Sequence, residues 1–301
     1  MTVTVIAIFG PTASGKSAVA EAVAARSPAE LVSADAMQVY RDLPILTNQT
    51  THPTRLVGIW PVDHEASVGE YAPLAHAAID EILAAGRTPV VVGGTGLYLR
   101  AALADLSLPP PPAPGARDRW ARLYDDEGAA AAHARLAAVD ASAAAAVHAN
   151  DRRRVVRALE LAEAGASLVP GSDRLWAAST RHPTLVVGLD VPKDVLERRI
   201  EERTRAMFDA GVQDEVRRAL SRPVSSTARK TIGLDEVATL PREEAIAALV
   251  VRTRRYAAYQ RKWMRRLEGL VMVAADRPAE ETADAIVELA RARERVPRRR
   301  G

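Results

Sequence analysis

The 301-residue chain contains no cysteine. That excludes a disulfide scaffold, a thiolate zinc site and a cysteine nucleophile, and makes a reducing cytosolic compartment the default expectation. Long hydrophobic runs are absent as well. No stretch approaches the ~18 uncharged residues of a membrane helix. The apolar segment TVTVIAIF (2–9) lacks the basic flank and small-residue cleavage site of a secretory signal. A soluble, cytoplasmic protein with no membrane partner is therefore expected, and a monomer is assumed. Lysine is scarce, supplying four of 41 basic residues. The net charge is only +3, but it is unevenly spread. Residues 1–150 hold 10 basic against 15 acidic side chains, a net of −5, and residues 151–301 hold 31 against 23, a net of +8. An acidic partner for the second half explains this split, and so does a codon bias toward arginine. What is present, 48% apolar and 26% charged residues, is an ordinary globular composition. The length fits two domains, or one large α/β domain carrying an insertion.

Strand-like and helix-like runs alternate at first. Thr4–Phe9, Glu30–Ser33 and Thr88–Val92 read as buried strands, and Ser17–Arg26 and Tyr71–Ala85 as helices. LPPPPAPG (108–115) breaks the pattern, because proline lacks the amide donor and fixes φ. From Arg117 to about Gly165 the chain is alanine-rich helix former with no strand candidate. TLVVGLD (184–190) resumes the strands. A charged helix over 194–219, a long helix over 242–267, a strand at 271–276 and a helix over 280–293 follow, and the tail VPRRRG reads as frayed. The expected fold is α/β, a P-loop NTPase-like parallel sheet flanked by helices with an all-α insertion. The expected division is a core over 1–107, an insertion over 108–182 and the core's completion over 183–301.

Residues Gly10, Pro11, Thr12, Ala13, Ser14, Gly15, Lys16 and Ser17 spell GPTASGKS, a G-x-x-x-x-G-K-[ST] phosphate loop between a strand and a helix. Its amides and the helix N-terminus form an anion cradle. Lys16 supplies a mobile charge, and the Ser17 hydroxyl is placed for Mg²⁺. A hydrolase usually adds a second strand ending in an aspartate that orders the metal. The strand PVVVGGTG (89–96) ends instead in glycines and Thr95, while LVSAD (31–35) ends in Asp35. Either Asp35 takes that role or the loop serves another phosphate donor. All three loops follow parallel strands, so they open onto one crevice. There Asp35 is either a general base or an N-cap, Thr95 either a donor to a leaving oxygen or a cap, and Gln38 a partner for a base or sugar edge.

GPTASGKS, DAMQVY (35–40), VVGGTGLYLRAAL (91–103), HANDRRRVVRALE (148–160) and RRYAAYQRKWMRR (254–266) occur in an order and spacing that resembles the tRNA dimethylallyltransferase, or tRNA isopentenyltransferase, family. The resemblance implies transfer of a dimethylallyl group from dimethylallyl diphosphate to N6 of the adenosine 3′ of the anticodon, with Mg²⁺. It implies that the loop cradles a prenyl diphosphate, that Asp35 is the base and that Thr95 assists at the diphosphate. It further implies tRNA contacts at Asp35, Ala36, Met37, Gln38 and Thr95, at Arg117, and at Arg153, Arg154, Val155, Val156 and Arg157, with the target adenine leaving its stack to enter a channel between core and insertion. The chain departs from the family at Ala36, over 42–49 and 55–64, and at Ala258 and Tyr259 ahead of Gln260.

Residues 252–266 carry seven basic side chains and no acid, with Tyr256, Tyr259 and Trp263 on one helical stripe. The aromatics are expected to pack on the core. The arginines would repel one another unless a polyanion neutralises them. The competing readings are a small-metabolite or nucleotide kinase binding ATP in the loop, a prenyltransferase acting on free adenylate, and a non-catalytic RNA-binding protein with a degenerate loop. The kinase leaves the basic helix unexplained, the adenylate enzyme has little use for two arginine clusters, and the intact Lys16 and Ser17 argue against the last.

Overall fold

The computed structural model describes residues 4–106, 108, 113–169, 175 and 177–295. The prolines at 109–112 and the VPRRRG tail lie outside the described residues. In chain order the elements are β1 (Val5–Phe9), α1 (Lys16–Ala24), β2 (Ala29–Ser33), β3 (Thr54–Arg55), α2 (Val68–Ala84), β4 (Thr88–Gly93) and α3 (Gly96–Leu103). There follow α4 (Ala116–Glu127), α5 (Ala129–Val139), α6 (Ala141–Ala146) and α7 (Arg152–Glu163). The chain then forms β5 (Thr184–Asp190), α8 (Lys193–Asp209), α9 (Val212–Leu220), α10 (Leu234–Thr239), α11 (Arg242–Met264), β6 (Val271–Ala274) and α12 (Ala279–Arg295). Among the described residues no helix is long and apolar enough to cross a membrane.

The six strands form one parallel sheet in the order β3-β2-β4-β1-β5-β6. β1 is buried along its whole length, as the runs of Val and Ile require of a strand covered on both faces. One apolar cluster joins Ile6 and Ile8 of β1 to Val19 and Val23 of α1 and Ile286 of α12. A second gathers α8–α11 with the segment around Tyr40, Leu43 and Leu46. The parallel order brings the carboxyl ends of β1, β2 and β4 together, which is where the sequence places its three loops.

The helix expected over 194–219 is two helices. The chain turns at Gly211, whose φ of 88° lies in the left-handed region that glycine adopts at least cost. Helix α3 escaped the sequence reading because most of its residues are buried, so it shows no polar face.

The chain divides into two compact units, one of residues 1–105 and 175–301 and one of residues 106–174. The smaller unit has its own core, in which Leu136, Val147, Val155 and Leu159 meet Trp120, Leu123 and Tyr124. Its alanines let short helices approach closely, and Asp140 and Asp151 cap α6 and α7 through the amides of Ala143 and Arg154. The larger unit resumes at Leu175, ahead of the expected residue 183. Arg100 is buried there and donates to the carbonyls of Leu175 at 2.8 Å and Ser179 at 3.1 Å. The Arg181 amide donates to the Leu103 carbonyl, and its guanidinium pairs with Asp80 at 2.9 Å and Asp105 at 3.3 Å.

Candidate active site

A cavity of about 450 Å³ opens at the carboxyl ends of the strands. Thr12, Lys16 and Ser17 line it together with Asp35, Thr95 and Arg203. The phosphate loop turns tightly from β1 into α1. Ser14 N donates to the Pro11 carbonyl, and Ala13 and Gly15 both take positive φ. The Ser14 hydroxyl is buried without a hydrogen-bond partner among the described residues, and so is Nε of Arg203. Two orphaned donors beside an amide cradle suit an anion. Burial lowers the Lys16 pKa and the Arg203 charge adds to that, against the opposing pull of Asp35. Burial also pushes the Arg203 guanidinium down to about 10, again opposed by Asp35.

The three loops are stitched together. Arg203 donates to Thr12 Oγ1 at 2.6 Å. Gln260, buried on α11, accepts from the Thr12 amide at 2.7 Å and donates to the Gly94 carbonyl at 2.8 Å. Sequence reading singled out neither side chain. Arg203 is one of several arginines on a charged helix, so no local signal marked it, whereas Gln260 is the residue of 258–260 that keeps the family pattern, and that match was the signal available. The glycines of GGTG permit close approach: a Cβ on Gly94 would lie 2.4 Å from Gln260 Nε2, and one on Gly96 would lie 2.1 Å from the Trp263 ring.

Asp35 does not cap a helix. One of its oxygens accepts from the Met37 amide at 3.0 Å, and among the described residues the other has no hydrogen-bond partner. Thr95 occupies the N-cap position of α3 but makes no side-chain cap bond. Its Oγ1 accepts instead from the Ala36 amide at 3.2 Å and lies 3.5 Å from the Tyr256 hydroxyl. The backbone of Ala36 thus ties the loop after β2 to the loop after β4 whatever its side chain. Gln38 lines the cavity, yet its amide is committed to Ser33 and to the carbonyls of Thr47 and Asn48. Met37 Sδ accepts from the Thr231 hydroxyl. Buried Glu215 holds the divergent 42–49 segment through the amides of Ile45 and Leu46.

Ser17 Oγ and the Asp35 carboxylate are hard oxygen donors on one cavity. No group of three His, Asp or Glu able to hold a metal occurs among the described residues. The hard oxygen donors themselves are of the kind that suits Mg²⁺, which is commonly held by one or two protein oxygens plus substrate phosphates.

The aromatic stripe of α11 does not pack on the core. Tyr256, Tyr259 and Trp263 line the cavity, with Tyr259 54% exposed. The mutual repulsion expected along this helix is relieved in part within the chain: Arg252 pairs with Glu236, Arg254 with Glu201 and Arg261 with Asp190.

In the smaller unit Arg153 and Arg154 are exposed, with no ion-pair partner among the described residues. Arg117 and Arg157 both pair with Glu160, which is 1% exposed, at 3.0 and 2.9 Å. Val155 and Val156 are buried, so their side chains are placed for packing and only their backbone could meet a partner.

Comparison with known proteins accords with this geometry. The family model described as IPP transferase matches residues 38–267, and one described as isopentenyl transferase matches residues 3–57. The chain is 38% identical over 286 residues to a tRNA dimethylallyltransferase of Corynebacterium jeikeium, covering 91% of this chain and 92% of that protein. It is 40% identical over 276 residues to one of Salinispora tropica, covering 87% and 86%. Among solved structures, a tRNA isopentenylpyrophosphate transferase of Bacillus halodurans superposes with a TM-score of 0.68 at 30% identity, covering 97% of this chain and 98% of that one. The fold is shared with a eukaryotic dimethylallyltransferase acting on tRNA, at a TM-score of 0.77 and 23% identity, covering 99% and 82%. With the phosphate loop, Asp35 and Thr95 on one cavity and the match running nearly end to end, the chain belongs to the IPP transferase family.

Proposed function

We propose that the chain is a tRNA dimethylallyltransferase, moving the five-carbon group of dimethylallyl diphosphate to N6 of adenosine 37, next to the anticodon, and releasing diphosphate. The observation that carries this reading is the single cavity that joins the phosphate loop to Asp35 and Thr95 in a chain of this family. The allylic C–O bond breaks with its electron pair leaving on the diphosphate, and the N6–C bond forms. The N6 proton passes to Asp35, the carboxylate oxygen without a partner being the acceptor. The negative charge that develops on the diphosphate is met by Lys16, Arg203 and the loop amides, groups already in place before reaction. Thr95 accepts from Ala36 and keeps its own proton to donate toward the leaving oxygen. Mg²⁺, when bound, would be held by Ser17 with the diphosphate oxygens and would supply counter-charge.

The tRNA backbone is read by Arg153 and Arg154 on α7, with Arg117 and Arg157 steadied by Glu160. The side chains of Val155 and Val156 have no part in this. The enzyme works as a monomer in the cytoplasm, with the unit of residues 106–174 as its tRNA-contacting insertion.

The test is incubation of the purified protein with unmodified tRNA, Mg²⁺ and labelled dimethylallyl diphosphate. Label on the adenosine beside the anticodon is expected. Label on AMP instead would make it an adenylate prenyltransferase, and phosphate transfer from ATP a kinase.

A further inference from the structure

The proposed chemistry leaves the aromatic side chains of α11 without a task. Tyr256, Tyr259 and Trp263 form a ladder, with ring centroids 6.5 Å apart between the tyrosines and 6.4 Å between Tyr259 and Trp263. Both its ends are fixed. The Tyr256 hydroxyl lies 3.5 Å from Thr95 Oγ1, and Trp263 rests on the backbone of Gly96. Its middle member, Tyr259, lines the cavity yet is 54% exposed. Arg255 and Lys262 stand four residues before and three after Tyr259, so they flank it on one helix face. Both are exposed and have no ion-pair partner among the described residues.

We infer that this ladder is a nucleobase-stacking site, and that Tyr259 takes the extruded target adenine against its ring as the base enters from solvent. The inference rests on the proposed function. A base lifted from an anticodon loop loses its neighbours on both faces, and an exposed aromatic ring replaces one of them whatever its exact tilt. The flanking cations suit the phosphates on either side of that nucleotide. The prenyl chain is not the better occupant. Leu46, Met207 and Leu249 give the same cavity an aliphatic wall that suits a branched hydrocarbon, whereas the ladder offers flat π-faces.

The experiment uses an anticodon stem-loop with 2-aminopurine at the target position, whose emission falls when it is stacked, alongside steady-state kinetics on unmodified tRNA. The full-length wild type is compared with Tyr259→Phe and Tyr259→Leu. Tyr259→Phe should match the wild type. Tyr259→Leu should raise the KM for tRNA about tenfold. It should brighten the bound 2-aminopurine at least about twofold, with an unchanged KM for dimethylallyl diphosphate. An unchanged KM and emission in Tyr259→Leu would overturn the inference. A raised KM without brightening would overturn the adenine as occupant. If the wild type neither binds nor prenylates the RNA, the proposed function itself fails and takes the stacking site with it.

Discussion

Gln260 Oε1 accepts the backbone N–H of Thr12 at 2.7 Å, so a side chain from α11 fixes an amide of the phosphate loop. Gln260→Ala would leave that donor, and the Gly94 carbonyl, without a partner in a buried place. Such a loss costs about 1–3 kcal/mol. The expected result is a KM for dimethylallyl diphosphate raised about tenfold in initial-rate measurements. Tighter binding would mean that Gln260 masks an amide the diphosphate itself uses.

Asp35→Asn keeps an acceptor for the Met37 amide but loses the base. Turnover should fall by about 10²–10⁴-fold, while tRNA affinity in a filter-binding assay stays within about threefold, since one neutral substitution in the cavity leaves every phosphate-binding side chain in place. Near-normal turnover would remove Asp35 from the chemistry.

The phosphate loop should be sensitive to alkaline pH. Burial lowers the Lys16 pKa, so its charge is lost at a pH below that of an ordinary lysine. Binding of the diphosphate, measured by calorimetry, should weaken on that alkaline limb. Asp35 is the group that holds the Lys16 proton on. Asp35→Asn should therefore move the limb to still lower pH, and a shift the other way would contradict the arrangement.

Arg153→Ala with Arg154→Ala should weaken tRNA binding and lower the salt slope by about 1 for each phosphate that is no longer neutralised. Glu160→Gln acts on the same surface by another route. It leaves Arg117 and Arg157 close together without their shared counter-charge, so the smaller unit should lose protection in hydrogen exchange while dimethylallyl diphosphate binding is kept. An unchanged salt slope in the double variant would move the tRNA surface elsewhere.

The sheet and its three loops were legible because their signals are local. A run of Val and Ile followed by glycine and a lysine-serine pair states strand, turn and helix within a dozen residues, and parallel strands bring such turns together. The bonds that join those turns were not legible. Arg203 lies 191 residues from Thr12 and Gln260 lies 248 from it, and neither stands in a periodic pattern that says where it points. The ladder of α11 misled for a related reason. Helical spacing shows that Tyr256, Tyr259 and Trp263 share a face, but whether that face meets the core or a cavity depends on Gly96, far away in the chain. The same limit applies to the basic run of α11, whose counter-charges Glu236, Glu201 and Asp190 come from other elements.

Arg100 and Arg181 fasten the chain where it leaves the larger unit and where it returns, through the carbonyls of Leu175, Ser179 and Leu103 and the carboxylates of Asp80 and Asp105. In engineering terms that junction is a socket. Each of these seven residues belongs to the unit that carries the cavity, so exchanging the 69 residues from Leu106 to Arg174 as a cassette is expected to leave the cavity its frame.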